Sequence, residues 1–170
     1  MALIATNAGY YNDNQPTPYI KVEDSPIIKG SLLDLLDSRF SIFVELARRG
    51  GFRDLLNDPQ GRHTVFAFPD QYLSEQTKSA LLSLDVGESF ALIGSHIING
   101  VNKMSFLMDN RFLIPTKNKY NQLFADVQNG VIGLSAETFQ KVKLLNNGDL
   151  AINGVVVVIM SPLIPQTSFI

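Results

Sequence analysis

The apolar residues of this chain follow a helical period up to Asn99-Gly100 and a strand-like texture beyond it, and that single change limits the folds available. From Ser31, the residues Leu32, Leu33, Leu35, Leu36, Phe40, Phe43, Leu46 and Ala47 recur at helical spacing. Gly50-Gly51 stops the pattern where a left-handed C-cap belongs. Ser31 with Asp34 suits a helix start, because hydroxyl and carboxylate satisfy free amide donors there. Asp34 and Asp37 read as a pair on one helix face, favoured by the N-terminal dipole. A short helix is predicted over Phe52 to Leu56, ended by the turn residues Asn57-Asp58-Pro59-Gln60-Gly61. Thr64 to Phe68 is a short β-rich run cut off by Pro69. Residues 70 to 98 read as helical again.

The strands predicted beyond Gly100 are Arg111–Ile114, Tyr120–Val127, Val131–Leu134, Val142–Leu145 and Val155–Met160. Asn-Gly occurs at 99, 129, 147 and 153, and this dipeptide accepts the positive φ of tight hairpin turns. Val155–Met160 lacks alternating polarity and is branched at Cβ, so it is expected to be a central strand buried on both faces. Helices first and antiparallel strands second define an α+β domain.

Composition excludes several function classes. With 45% hydrophobic and 18% charged residues the chain has enough apolar material for a core and is no disordered polymer. The absence of cysteine removes disulfides, thiolate nucleophiles, iron–sulfur clusters and zinc ribbons. Two histidines, His63 and His96, are too few for a multi-histidine metal site. A net charge of −2 supplies no general field for nucleic acid, and the longest apolar run, Val155 to Met160, is far short of a membrane span. No secretory signal opens the chain, and none of its asparagines lies in a glycosylation sequon.

Residues 1–29 stand apart as an extended N-terminal arm, ahead of a domain over 30–165 and a tail over 166–170. The arm holds Pro16, Pro18 and Pro26 with Tyr10, Tyr11 and Tyr19, and its prolines favour extended backbone. It is either a leader without structure of its own or an arm lying on a neighbouring subunit, with the tyrosines as anchors.

Three motifs in order then point to a family. Thr64-Val65-Phe66-Ala67 followed by a proline and Asp70, Leu92-Ile93 ahead of His96, and Asn153-Gly154-Val155-Val156 leading to Leu163-Ile164-Pro165 resemble the fasciclin domain. The resemblance covers residues 31 to 165. It implies a compact α+β fold, a small β-sandwich or wedge carrying a layer of helices, and a role in adhesion and matrix contacts without catalysis. The family's tyrosine–histidine pair is present as Ser95-His96, and the histidine and aspartate of its last motif are replaced by Val157 and Met160. These departures remove polar groups and leave the scaffold.

The residues themselves offer no catalytic, cofactor or metal site. Adjacent Ser95 and His96 point apart in a helix and make no nucleophile–base pair. His96, among isoleucines, reads as a hydrogen-bonded structural histidine, and His63 as a surface residue in a turn. Asp34 and Asp37 are no glycosidase pair, and no glycine pattern forms a phosphate loop. Arg48, Arg49, Arg53 and Arg62 cluster in sequence, either as a solvated face or as a patch gripping an acidic partner.

The expected function is therefore a non-enzymatic structural or protein-interaction module. It would belong to a large assembly, such as a virus particle in which it is a minor capsid-associated protein, and contact neighbouring subunits through the arm. The residues expected to bind partners are Tyr10, Tyr11, Tyr19, Arg48, Arg49 and Arg53. With no signal peptide, synthesis in the cytoplasm is expected. The alternative is an extracellular or cell-surface domain binding matrix or receptor proteins.

Overall fold

The computed structural model describes residues 25–101, 113–126, 129–134, 141–146 and 148–164. Ser31 caps α1 (Leu32–Leu36), its side chain accepting from the amide of Asp34, as the sequence suggests. The single apolar stripe expected from Ser31 to Ala47 is nevertheless two helices. Residues 37–39 form a turn, and α2 (Ser41–Arg49) restarts beyond it. The restart draws on a residue far along the chain: the Asp70 carboxylate accepts from the Ser41 amide at 3.1 Å, the Ser41 hydroxyl and the Ile42 amide at 3.1 Å. That carboxylate supplies the cap that Phe40, at the N-cap position, lacks. Asp37 falls at the C-terminal end of α1, so it is no partner of the N-terminal dipole, while Asp34 accepts from the Gly30 amide.

Gly50 remains right-handed, and Gly51 adopts the left-handed conformation after α2. α3 (Arg53–Leu56) follows, then β1 (His63–Ala67). The predicted helical stretch over 70–98 is only partly helical. It comprises a 3₁₀ turn at Asp70–Tyr72, α4 (Glu75–Leu82) capped by Ser74, α5 (Val86–Gly94) with an Asp85–Glu88 capping box, and β2 (Ile97–Asn99). The β-branched pair Ile97-Ile98 pairs with Val65 and Thr64, and this sheet contact overrides the helical reading. His63 is likewise the first, half-buried residue of β1 and lies outside the turn before it.

The remaining strands are β3 (Ile114–Pro115), β4 (Gln122–Asp126), β5 (Val131–Leu134), β6 (Val142–Lys143), β7 (Asp149–Ala151) and β8 (Gly154–Val158). Together with β1 and β2 they form, among the described residues, two four-stranded sheets, ordered β2-β1-β8-β7 and β3-β4-β5-β6. Residues 111 and 112 of the first predicted strand lie outside the described residues, and β7 was not anticipated. β8 takes the expected central place, with every residue buried, although Met160 falls beyond it and is exposed. Its ladder with β1 is parallel, so the first sheet is mixed and the expectation of antiparallel pairing throughout does not hold.

Three of the four Asn-Gly glycines, Gly100, Gly130 and Gly148, have positive φ. Gly154 serves a different need: a Cβ there would lie 2.0 Å from the His63 carbonyl oxygen, so only glycine admits β1 this close. The core joins Leu32, Leu33 and Leu36 of α1 and Phe43 and Leu46 of α2 to Val65 and Phe66 of β1 and Val155–Val158 of β8.

Candidate functional site

The polar residues of the three sequence motifs turn inward, onto backbone. His96 is fully buried against the rings of Phe43 and Phe68, at centroid distances of 6.0 and 5.4 Å. Its Nδ1 donates to the Leu92 carbonyl at 2.7 Å, and its Nε2 accepts from the Leu163 amide at 3.0 Å. This pairing fixes one neutral tautomer, and burial pushes its pKa down to about 4. With both ring nitrogens engaged, His96 has no lone pair to offer as a base. Ser95 donates to the Ala91 carbonyl and accepts from Asn118 and Asn121. The position of the family's tyrosine thus latches the 116–121 loop to the end of α5.

Asn153 is the second anchor and is completely buried. Its Oδ1 accepts from the Leu32 amide at 2.8 Å, while its Nδ2 donates to the carbonyls of Leu56 and Asp58 at 3.0 and 2.9 Å. One side chain in the β7–β8 turn therefore closes the N-terminus of α1 and the C-terminal end of α3. Of the first motif, Thr64 donates to the Gly100 carbonyl, and Val65, Phe66 and Ala67 lie in the core. His63 sits lower than an ordinary histidine, mainly through burial and also beside Lys117. Among the described residues no group of histidine and carboxylate side chains could hold a metal, and no helix is long and apolar enough to cross a membrane.

The arginines expected to grip a partner have partners within the chain. Arg48 and Arg49 share Glu45 at 2.7 and 2.9 Å, and together they hold its carboxyl below the usual range, Arg48 more strongly. Arg49 also donates to the carbonyls of Leu82 and Leu84, closing the end of α4. Arg53 reaches back to Ser25, donating to its carbonyl at 2.9 Å and to its hydroxyl at 3.3 Å. Asn57 holds the next residues, donating to the Pro26 carbonyl and accepting from the Ile28 amide. Among the described residues, Ser25 is the first that is hydrogen-bonded to the domain. Tyr10, Tyr11, Tyr19 and the tail over 166–170 lie outside the described residues.

The capping role of Asp70 and the hub formed by Asn153 carry no local sequence signal, since their partners are distant in the chain. The surface holds more that periodicity did not single out. Leu82, Val86 and Phe90 are exposed along α4 and α5, with Phe90 stacked on Phe52 at 5.2 Å. Leu150 of the outer strand β7 and Ile152 of the following turn are exposed.

The two sheets and the helices are thus held together by side chains that bond backbone and one another, Asn153 and His96 within the first half and Ser95 to the loop ahead of β4. A profile of the fasciclin domain matches residues 38–165, and the chain belongs to that family. In structure it is similar to a FAS1 domain pair from the insect cell adhesion molecule fasciclin I. The TM-score is 0.68 at 20% identity, covering 82% of this chain and 52% of that one. This chain therefore spans about half the length of that pair, and the likeness concerns the fold. No curated protein sequence matches the chain. Membership places it among adhesion and protein-interaction modules.

Proposed function

We propose that the chain is a non-enzymatic module of a large multi-subunit assembly, with the arm over 1–29 contacting neighbouring subunits; since Ser25, Pro26 and Ile28 are bonded to the domain, residues 1–24 are the part left for that contact. A virus particle with this chain as a minor structural protein is a concrete case. The observation carrying the reading is the anchored root of the arm. Arg53 and Asn57 hold Ser25, Pro26 and Ile28 on α3 through four hydrogen bonds. A segment tethered this firmly is presented from a fixed point, which raises its effective concentration at a neighbouring surface. Tyr10, Tyr11 and Tyr19 supply anchors with large apolar area and few rotamers to freeze.

The test is deletion of residues 2–24, leaving the bonds to Ser25 intact. The truncated chain should melt within a few degrees of the full chain, yet lose the partners that co-purify with the full chain. Retention of those partners would move the contact surface onto the domain, with Arg48, Arg49 and Arg53 the next residues to test. A second reading, binding to matrix or receptor proteins, is favoured by the likeness to a domain pair from a cell adhesion molecule. Capture of such proteins by the truncated chain supports it.

A further inference from the structure

Asn-Gly favours tight turns, and it is also the dipeptide in which asparagine most readily loses its amide, because glycine has no Cβ to screen its nitrogen from the preceding side chain. The chain carries it at 99, 129, 147 and 153, and the fold treats these sites differently. Asn153 is completely buried, with Oδ1 committed to the Leu32 amide and Nδ2 to the Leu56 and Asp58 carbonyls. Asn99 lies in β2 opposite His63, and the Gly100 amide that follows it donates to the Arg62 carbonyl at 2.9 Å. Asn147 lies outside the described residues, but the Gly148 amide that follows it donates to Asn146 Oδ1 at 3.2 Å.

Asn129-Gly130, in the turn between β4 and β5, has neither protection. Asn129 is exposed. Among the described residues the Gly130 amide donates to no group, although the carbonyl of the same residue accepts from the Leu144 amide at 2.8 Å. With φ at +69° and no atom within 4 Å of the place a Cβ would take, the turn has open space beside the Gly130 nitrogen. Asn129 is held by a neighbour in the same turn: its backbone amide and its Nδ2 donate to the two oxygens of the Asp126 carboxylate, at 3.2 and 2.8 Å.

We infer that Asn129 is a site of spontaneous deamidation. The Gly130 nitrogen, on losing its proton to water or hydroxide, attacks Asn129 Cγ. A C–N bond forms and closes a succinimide ring, the Cγ–Nδ2 bond breaks, and the side-chain nitrogen leaves as ammonia with a proton taken from solvent. Water then opens the ring at either carbonyl, giving aspartate or isoaspartate. At the other sites an amide that already donates must first give up its bond, and a buried, triply bonded side chain has no freedom to turn onto it. The product changes the turn through Asp126. Where Nδ2 donated to the Asp126 carboxylate, one carboxylate now faces another, and like charges that close repel. Isoaspartate also lengthens the backbone of the turn by a methylene. The β4–β5 hairpin is thus loosened as the molecule ages, while β1 and β8 keep their ladder.

The test incubates the full chain at body temperature and mildly alkaline pH, beside the same chain in urea. The peptides bearing each Asn-Gly are then followed by mass spectrometry and by chromatographic separation of their aspartate and isoaspartate forms. In the folded chain Asn129 should convert before Asn99, Asn147 and Asn153, within a few-fold of its own rate in urea, while Asn99 and Asn153 are slowed far more. Asn129 slowed as strongly as Asn153, or preceded by Asn99 or Asn147, overturns the inference. Asn129→Asp supplies the product directly. Amide exchange in β4 and β5 should then be several-fold faster than in the native chain, with β1 and β8 unchanged. Exchange unchanged throughout overturns the loosening by Asp126.

Discussion

In the first sheet His63 lies beside Gly154, whereas every ladder of the second sheet joins strands consecutive along the chain. The long-range half is fastened by buried polar side chains. Asn153 ties the β7–β8 turn to α1 and α3, His96 ties α5 to the segment after β8, and Asp70 caps α2 from beyond β1. The second sheet is built from local pairings, with Thr116 bonding within the loop ahead of β4 and a turn with left-handed Gly130 between β4 and β5, and is tied to the first half by Asn118 and Asn121 on Ser95 and by Asn146 on Val158. The difference follows from chain entropy. Local pairing closes short loops, while pairing distant strands closes a long one and needs further interactions to hold it.

The comparison is broken most severely at Asn153. Replacement by alanine leaves the Leu32 amide and the Leu56 carbonyl without that bond at a buried site, while the Asp58 carbonyl keeps the Gly61 amide. At roughly 1–3 kcal/mol for each of the two unmet buried groups, the loss is about 2–6 kcal/mol, a large part of the ~5–15 kcal/mol typical of a domain. Urea unfolding of Asn153→Ala should show this as a lower midpoint. A change below about 1 kcal/mol would refute the hub.

The sequence carried the local half of this architecture and only part of the rest. Ser31 is an N-cap because Asp34 is three residues away, and Gly130 marks a turn because asparagine precedes it; both signals lie within a few residues. β7 escaped because Asp149-Leu150-Ala151 is too short to show alternation between two Asn-Gly pairs. The break between α1 and α2 escaped because its cap, Asp70, is 29 residues from Ser41. Asn153 and His96 were visible as members of a motif. Their jobs were not, since the partners of Asn153 are 121, 97 and 95 residues away.

An intermediate effect separates the two halves by pH. His96 titrates at about 4 in the folded chain against an ordinary value of 6.5. The unfolded chain therefore binds more protons between those values, so this residue favours folding fully above about pH 6.5. Its contribution is lost as pH falls toward 4. The gap between those two values corresponds to roughly 3 kcal/mol. His63 shifts in the same direction. Urea midpoints of wild type and His96→Gln, each taken at pH 7 and pH 4.5, isolate the His96 contribution, because carboxylate effects are common to both chains. Wild type should lose more stability on acidification by most of that amount. Equal losses would mean that His96 takes up its proton in place.

The smallest effect is expected at Gly130, and it sharpens the contrast because Gly154 also follows an asparagine. Gly130 has φ of +69°, and a Cβ there would have no atom within 4 Å, so alanine meets only the backbone penalty of the left-handed region. That penalty is about 1–2 kcal/mol, offset in part by the reduced freedom of the unfolded chain, and it should lower Tm by a few degrees. Gly154→Ala must instead force β1 away from β8, since the added carbon would lie 2.0 Å from the His63 oxygen. Amide exchange should then distinguish the two. Gly130→Ala speeds exchange in β4 and β5 and leaves β1 and β8 protected, because a locally closed hairpin opens without the long-range ladder. Equal acceleration in both sheets would show that they unfold as one unit and that the division between local and long-range halves has no energetic meaning.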